Sequence, residues 1–348
     1  VRPHPKGRGA AFNPPNRYER LHLEPLEEEL PPDRQVNTEF FVDSSRSILA
    51  HNDSPDIPFR YSLNPYRGCE HGCIYCYARP SHEYLGFSAG TDFESRILVK
   101  PDAPALLEQA FRRKSWKPQV VALSGNTDPY QPVERRLELT RKCLAVFLRF
   151  RNPVSLITKN HLITRDIDIL RQLAERDLVF VHLSITTLDP ELARVMEPRT
   201  STPALRLDAL KRLAEAGIPT GVNVSPLIPG LTDQEMPAIL REAAAGGART
   251  ACYIIVRLPG AVEPLFMEWL NRELPHHASK IRNRLRGVRG GEMTDSRFGS
   301  RMRGEGKIAE SIRDLFHLTL RRLQLEDRMI ELRTSDFTRH SPSQPALF

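Results

Sequence analysis

Three cysteines fall within eight residues, Cys69-Glu-His-Gly-Cys73-Ile-Tyr-Cys76, a CxxxCxxC loop. The thiolate is both the nucleophilic and the metal-ligating form of cysteine. Thiols so close in sequence can converge on one centre, and that centre is a ligand short. An iron–sulfur cubane takes four cysteines for full protein ligation, and a closed structural zinc site also takes four ligands. Three cysteines therefore leave an iron open to a ligand that is not protein. A zinc site with His71 as fourth ligand and a redox dithiol are the alternatives. His71 sits between two of the cysteines, two positions after Cys69, which is poor geometry for a fourth corner. The other cysteines read as small buried hydrophobes: Cys143 lies in a helix of periodic apolar residues and Cys252 begins a buried-looking strand.

The elements around the loop repeat. Apolar runs at 59–65, 119–124, 153–158, 178–185, 218–224 and 251–257 predict strands, and amphipathic stretches at 103–114, 133–150, 162–176, 203–216, 232–246 and 262–273 predict helices between and after them. Pro203 in a first turn and Gly217 after a last turn punctuate one helix as expected. Such alternation predicts a parallel sheet with crossover helices. In barrels of this kind chemistry sits at the C-terminal ends of the strands, and the cysteine loop follows the first strand. The other strand ends carry polar loops: Ser124-Gly125-Asn126-Thr127-Asp128, Thr158-Lys159-Asn160, Ser184-Ile-Thr186-Thr187 followed by Glu197-Pro-Arg199-Thr200, Asn223 to Asp233, and Arg257-Leu-Pro-Gly260. Lys159 is a cation placed for a carboxylate.

The CxxxCxxC loop with Tyr75 before its last cysteine resembles the signature of the radical SAM superfamily. Cys73-Ile-Tyr75-Cys76-Tyr77, Thr158-Lys159, Leu183-Ser-Ile185, Glu197-Pro198, Thr200-Ser201 and Ala216-Gly217 resemble its spore photoproduct lyase-like branch, across about residues 60–230. Asn64-Pro-Tyr-Arg-Gly-Cys69 and the segment 295–306 are similar to a subfamily of that branch. The resemblance implies a partial (β/α)6 TIM-type barrel and a 4Fe–4S cluster on Cys69, Cys73 and Cys76. The open iron would be bound by the amino and carboxylate groups of S-adenosylmethionine (AdoMet), whose reductive cleavage yields a 5′-deoxyadenosyl radical that abstracts hydrogen. It further implies that Lys159 and Ser184 hold the carboxylate and ribose side, with Gly125, Asn126, Thr127, Thr186 and Arg199 completing the cofactor pocket. The backbone around Tyr75 would meet the adenine, and Tyr75 and Tyr77 would stand in a hydrogen-relay position. A reductase, flavodoxin or ferredoxin would donate the electron. One departure matters: members of the branch carry a cysteine beside the second strand's loop, where this chain has Ser124-Gly-Asn-Thr-Asp128 and no thiol. Reversal of a thymine lesion is therefore not carried over.

The remaining features bear on partners. The chain has 348 residues, a net charge of +7 and a pI near 9.3, which admits an acidic partner such as nucleic acid without demanding one. Five cysteines are an odd number for a disulfide framework, and no apolar run is long enough for a membrane helix. A reducing, cytoplasmic compartment suits the cluster. The expected organisation is a flexible basic arm and lead-in over 1–50, a barrel over 51–275, and a basic extension with a helix and a disordered tail over 276–348. The proline-rich residues 1 to about 35 lack the apolar surface to order themselves. Lys280 to Arg303 holds eight Lys/Arg against two acids, either a phosphate-binding segment or a solvated loop. The final Gln344-Pro-Ala-Leu347-Phe348 resembles a bacterial sliding-clamp-binding pentapeptide, and would seat Leu347 and Phe348 in an apolar pocket. Three functions fit: a radical SAM lyase or modifying enzyme acting on a nucleic-acid base, the same chemistry on a peptide or small molecule, or a non-catalytic cluster- or zinc-bearing nucleic-acid-binding module.

Overall fold

A computed structural model describes residues 4–21, 35–328 and 330–339; the expected clamp-binding pentapeptide lies outside the described residues. In chain order the strands are β1 (Glu39–Val42), β2 (Leu49–His51), β3 (Tyr61–Leu63), β4 (Tyr66–Arg67), β5 (Arg96–Val99), β6 (Val121–Leu123), β7 (Val154–Thr158), β8 (Val179–Ser184), β9 (Thr220–Leu227) and β10 (Thr250–Ile255). A seven-stranded sheet runs β10-β9-β8-β7-β6-β3-β2 and a small one runs β1-β5-β4. From β3 to β10 every pairing in the large sheet is parallel, and β2 adds an antiparallel edge. Six parallel strands with crossover helices make the expected partial barrel.

Local chemistry accounts for the helices. The helix Pro203–Glu215 begins where the Thr202 side chain accepts from the Leu205 amide at 3.4 Å, and it is followed by Gly217 at φ +77°. Its Ala209, Leu210 and Leu213 are buried in one core with Val181, Leu183, Val222 and Val224 from the sheet. The short strands β3 and β6 are wholly or half covered, so the barrel core depends on these helices to exclude water.

The extension 276–339 is not a separate unit. The helix Gly306–Leu323 buries Ala309, Ile312, Phe316 and Leu320 in the barrel's own core, with the Phe316 ring 4.7 Å from that of Tyr253. Beyond it the Ala251 amide donates to the Glu326 carbonyl and the Glu326 amide to that of Arg249, covering the free edge of β10. The arginine-rich segment also differs from expectation. Arg289, within the segment read as either phosphate-binding or a solvated loop, is only 4% exposed and donates to the carbonyls of Ile255, Val256 and Ser300 at 3.2, 2.8 and 3.0 Å. Part of the segment is helix, Ala278–Gly287, with Ile281 and Leu285 packed inward.

The N-terminal arm is the larger correction. Residues 4–21 fold back on the cysteine loop: Ala10 and Ala11 are buried, and so is Arg8. The amides of Gly9 and Ala10 donate to the Glu94 carboxylate at 2.9 Å each, while Arg8 reaches the Val36 carbonyl at 2.6 Å and Thr38 Oγ1 at 2.9 Å. A segment poor in apolar residues is ordered by polar anchors supplied from elsewhere in the chain. Gly9 is required there, because a Cβ would collide with the Gly72 carbonyl inside the CxxxCxxC loop. Gly9→Ala is therefore expected to loosen this cover and speed oxygen-dependent loss of iron from the reconstituted protein, measured by the decay of its visible absorbance. The exposed Lys6→Ala should decay like wild type; equal decay for both would show that the segment does not shield the loop.

Candidate active site

The cysteine loop is held by its backbone. Arg79, fully buried, donates to the carbonyls of Gly72 and Cys73, to those of Ala89 and Gly90, and to Glu94 Oε1 at 2.5 Å. Glu94 thereby joins Arg79 to the N-terminal segment. On the other side Glu70 N meets Gln131 Oε1 at 3.0 Å, Gln131 Nε2 donates to the Gly68 carbonyl, and Ile74 N donates to Met196 O. A loop fixed this way presents its side chains with little entropy left to lose.

All three loop thiols are free. Burial pushes Cys69 and Cys73 well up and also raises Cys76, with the Arg79 guanidinium acting in the opposite sense on Cys76. Buried neutral thiols ionise when a metal takes the charge, so the donor set suits a cluster. His71 does not complete it. Its Nε2 faces the Asn160 amide at 3.2 Å and its Nδ1 lies 3.4 Å from Asp128 Oδ2. Among the described residues no three His, Cys, Asp or Glu side chains converge on a single-ion site.

Above the loop a second network spans the C-terminal ends of β7, β8 and β9. Lys159 Nζ donates to Ser184 Oγ at 2.5 Å and to the Ser225 carbonyl at 3.1 Å, and lies 3.9 Å from Glu197 Oε1. Burial lowers its pKa to about 8. Glu197 is wholly enclosed: it accepts from Tyr75 OH, from Thr186 Oγ1 at 2.6 Å and from Arg206 Nη2. Burial raises its pKa, against the pull of Arg206. Arg206 also donates to the Ser184 and Ser201 carbonyls at 3.1 and 2.8 Å and to Thr200 Oγ1 at 2.6 Å. The sequence-predicted Tyr75, Lys159, Ser184 and Thr186 are thus brought together. Tyr75 is tied to a carboxylate, so its hydroxyl serves first to position the loop.

Other expected residues lie around this centre. The amides of Asn126 and Thr127 each meet Asn64 Oδ1 at 3.2 Å, and Thr127 Oγ1 donates to the Tyr66 carbonyl. Tyr77, 53% exposed, donates to the Gly125 carbonyl and closes the mouth between the loop and the end of β6. Arg199 is set apart from the Lys159–Glu197 network: its Nη1 is 3.3 Å from both Glu70 Oε1 and Thr38 Oγ1, bracing the outer side of the cysteine loop. Sequence reasoning missed Arg79, Glu94 and Arg206, and gave Asn64 only as the first residue of the Asn64–Cys69 resemblance. It quoted Asp128 without a role, yet Asp128 ties the loops together by accepting from Thr158 Oγ1 at 2.7 Å and Lys159 N at 2.8 Å.

Known proteins resemble this chain in sequence and in fold. Uncharacterized protein Rv2578c of Mycobacterium tuberculosis (strain ATCC 25618 / H37Rv) is 40% identical over 228 residues, 65% of this chain and 67% of its own. Uncharacterized protein MJ0683 of Methanocaldococcus jannaschii is 32% identical over 176 residues, 51% of this chain and 63% of its own. Among solved structures, spore photoproduct lyase complexed with dinucleoside spore photoproduct superposes with a TM-score of 0.57 at 16% identity, covering 82% of this chain and 78% of that one. At that identity the likeness is one of fold. A mutant of the same lyase with bound AdoMet and dinucleoside spore photoproduct gives 0.56 at 17%, with the same coverage. The family model of the Radical SAM superfamily matches residues 63–243, more than half of the chain and spanning the three cysteines and the Lys159–Arg206 network, and the chain belongs to that superfamily.

Proposed function

We propose that this protein is a radical SAM enzyme whose substrate is a nucleic-acid base. The observation that carries the class is the three-thiol loop, fixed by Arg79 at the C-terminal end of a parallel barrel and facing Lys159 and Ser184. When bound, the 4Fe–4S cluster and AdoMet supply a carbon-centred radical able to remove a hydrogen atom from a neighbouring molecule. The chain's own residues hold and enclose. Cys69, Cys73 and Cys76 would ligate the cluster. Lys159, half-buried and already bonded to two oxygens, would exchange one of them for the AdoMet carboxylate, with Ser184 beside it. Tyr75, Thr186 and Arg206 fix Glu197, and with it the wall of the pocket.

The nucleic-acid reading is supported by the fold shared with a lyase solved with a dinucleoside photoproduct and by the net charge of +7. No thiol stands in the Ser124–Asp128 loop, so we leave the outcome as hydrogen abstraction from a base rather than lesion reversal. Reconstitution without oxygen is expected to give about four irons and four sulfides per chain, and AdoMet cleavage on addition of reductant. Zinc without sulfide, or a cluster that leaves AdoMet intact, would overturn the enzyme class. Deuterated oligonucleotides, peptides and cell metabolites, offered in turn with unlabelled AdoMet, should pass label into 5′-deoxyadenosine from the oligonucleotide; transfer from a peptide alone would replace the substrate class.

A further inference from the structure

The partial barrel has a seam between its edge strands β10 and β2, and the segment 289–305 crosses it. Arg289 roots this strap on the last carbonyls of β10 and on Ser300. Its far side is fastened to the loop between β2 and β3: Arg301 Nε donates to Asp56 Oδ2 at 2.5 Å, Arg301 Nη2 to Ser54 Oγ at 2.6 Å, and Gly299 N to Asp56 Oδ1 at 2.7 Å. Two carboxylates of the strap are also engaged, Asp295 and Glu305 both with Arg297 at 3.0 and 2.9 Å.

Two guanidinium groups on this wall have no carboxylate within ion-pair distance among the described residues. Arg257, just past the end of β10, is half-buried, and its Nη1 lies 3.8 Å from Met302 Sδ. Arg303 is exposed and lies 4.2 Å over the Tyr253 ring. Cys252 pairs in register with Asn223 on β9, which pairs with Ser184 on β8, and its Sγ meets Asn223 Oδ1 at 3.3 Å. Arg257 thus follows the C-terminal end of β10, the end at which Ser184 closes β8 and Lys159 follows β7, and Arg303 adjoins it through Met302. Burying an arginine even partly without a counter-ion costs desolvation energy, and a ligand anion would offset that cost. A planar guanidinium matches phosphate oxygens bidentately.

We propose that Arg257 and Arg303 form a phosphate clamp at the seam of the barrel, holding a backbone phosphate of the substrate so that the attached nucleoside lies over the Lys159–Ser184 end of the mouth. This rests on the nucleic-acid reading above and narrows it: the enzyme recognises a phosphate-bearing strand beside its target, and a free base lacks one of its anchors. The strap is what makes the clamp, since Arg289 and Arg301 are spent on fixing it while Arg257 and Arg303 are left to bind.

The test uses the full chain with its cluster reconstituted and a fluorescein-labelled single-stranded oligonucleotide of about six nucleotides, within the usual span of single-strand sites. Arg257→Gln and Arg303→Gln are each expected to weaken binding about tenfold. Together they should flatten the log–log salt dependence by about 0.7 for each phosphate they cease to neutralise. An oligonucleotide of the same sequence with a neutral methylphosphonate backbone should bind wild type as weakly as the native one binds the double variant. Arg286→Gln, exposed on the helix 278–287, should change nothing. Iron content and circular dichroism, unchanged in the double variant, report that the barrel is intact. Equal affinity of wild type and an intact double variant overturns the clamp and leaves the nucleic-acid reading standing. No binding to wild type at low salt overturns that reading, and the clamp with it.

Discussion

Alanine at any one of Cys69, Cys73 or Cys76 is expected to abolish cluster binding, and with it all cleavage of AdoMet. Two thiolates cannot hold a cubane against loss to solvent, and the described residues place no spare ligand beside the loop, since His71 is engaged by Asn160 and Asp128. The loss should not come from unfolding. The loop's position is set by backbone bonds from Arg79, Gln131 and Met196, none of which uses a cysteine side chain. Circular dichroism and the denaturation midpoint of the apo-proteins should therefore match wild type, while iron and sulfide per chain fall to background. Cys143→Ala and Cys252→Ala are the controls. Cys143 is enclosed in the core and Cys252 bonds to Asn223, so both variants should keep the cluster and the cleavage. A normal iron content in any of the three loop variants would remove that cysteine from the ligand set. Loss of cleavage in Cys252→Ala at full cluster content would give that thiol a part in the chemistry.

The fold was legible where a local pattern and the tertiary structure ask for the same thing. Val179–Ser184 is apolar because it is covered on both faces, and Pro203 and Gly217 mark helix ends by their own backbone preferences. The cysteine spacing was legible for a related reason, since three ligands of one centre must be close in sequence or in space, and here they are close in sequence. Arg79, Arg206 and Arg289 were not legible. Buried arginine has the same residue type as surface arginine, and only the carbonyls and carboxylates around it decide which it is. For that reason neither open reading of the segment 280–303, phosphate-binding or solvated loop, anticipated that Arg289 would be buried. The N-terminal segment failed for the complementary one: its order comes from Glu94, far along the chain, and composition cannot report a partner at that distance. Asn126 and Thr127 do lie at a strand end, but that their amides are held by Asn64 could be known only from the fold.

The largest effect on stability should follow from Glu197. Its carboxylate is fully enclosed and takes three donors, Tyr75 OH, Thr186 Oγ1 and Arg206 Nη2. Removing one partner of such a pair leaves a buried guanidinium with no counter-charge, at a cost of about 3–5 kcal/mol. Glu197→Ala is thus expected to lower the free energy of unfolding by about that amount, read from the shift of a urea transition at constant slope. Replacing both members is a different matter. In Glu197→Ala with Arg206→Met no unpaired guanidinium remains buried, and an apolar pair of similar bulk is often neutral relative to the ion pair it replaces. The double variant should therefore be more stable than Glu197→Ala alone, a non-additivity of the kind residues in one hydrogen-bonded network show. Function should not return with stability. Arg206 also braces the Ser184 carbonyl and the Ser201–Thr200 turn, and Tyr75 would have lost its acceptor at the tip of the cysteine loop. The restored fold should bind its cluster yet hold AdoMet at least about tenfold more weakly, measured by equilibrium dialysis of labelled AdoMet. A double variant no more stable than the single one would show that the Glu197–Arg206 charge pair is not what the pocket wall depends on.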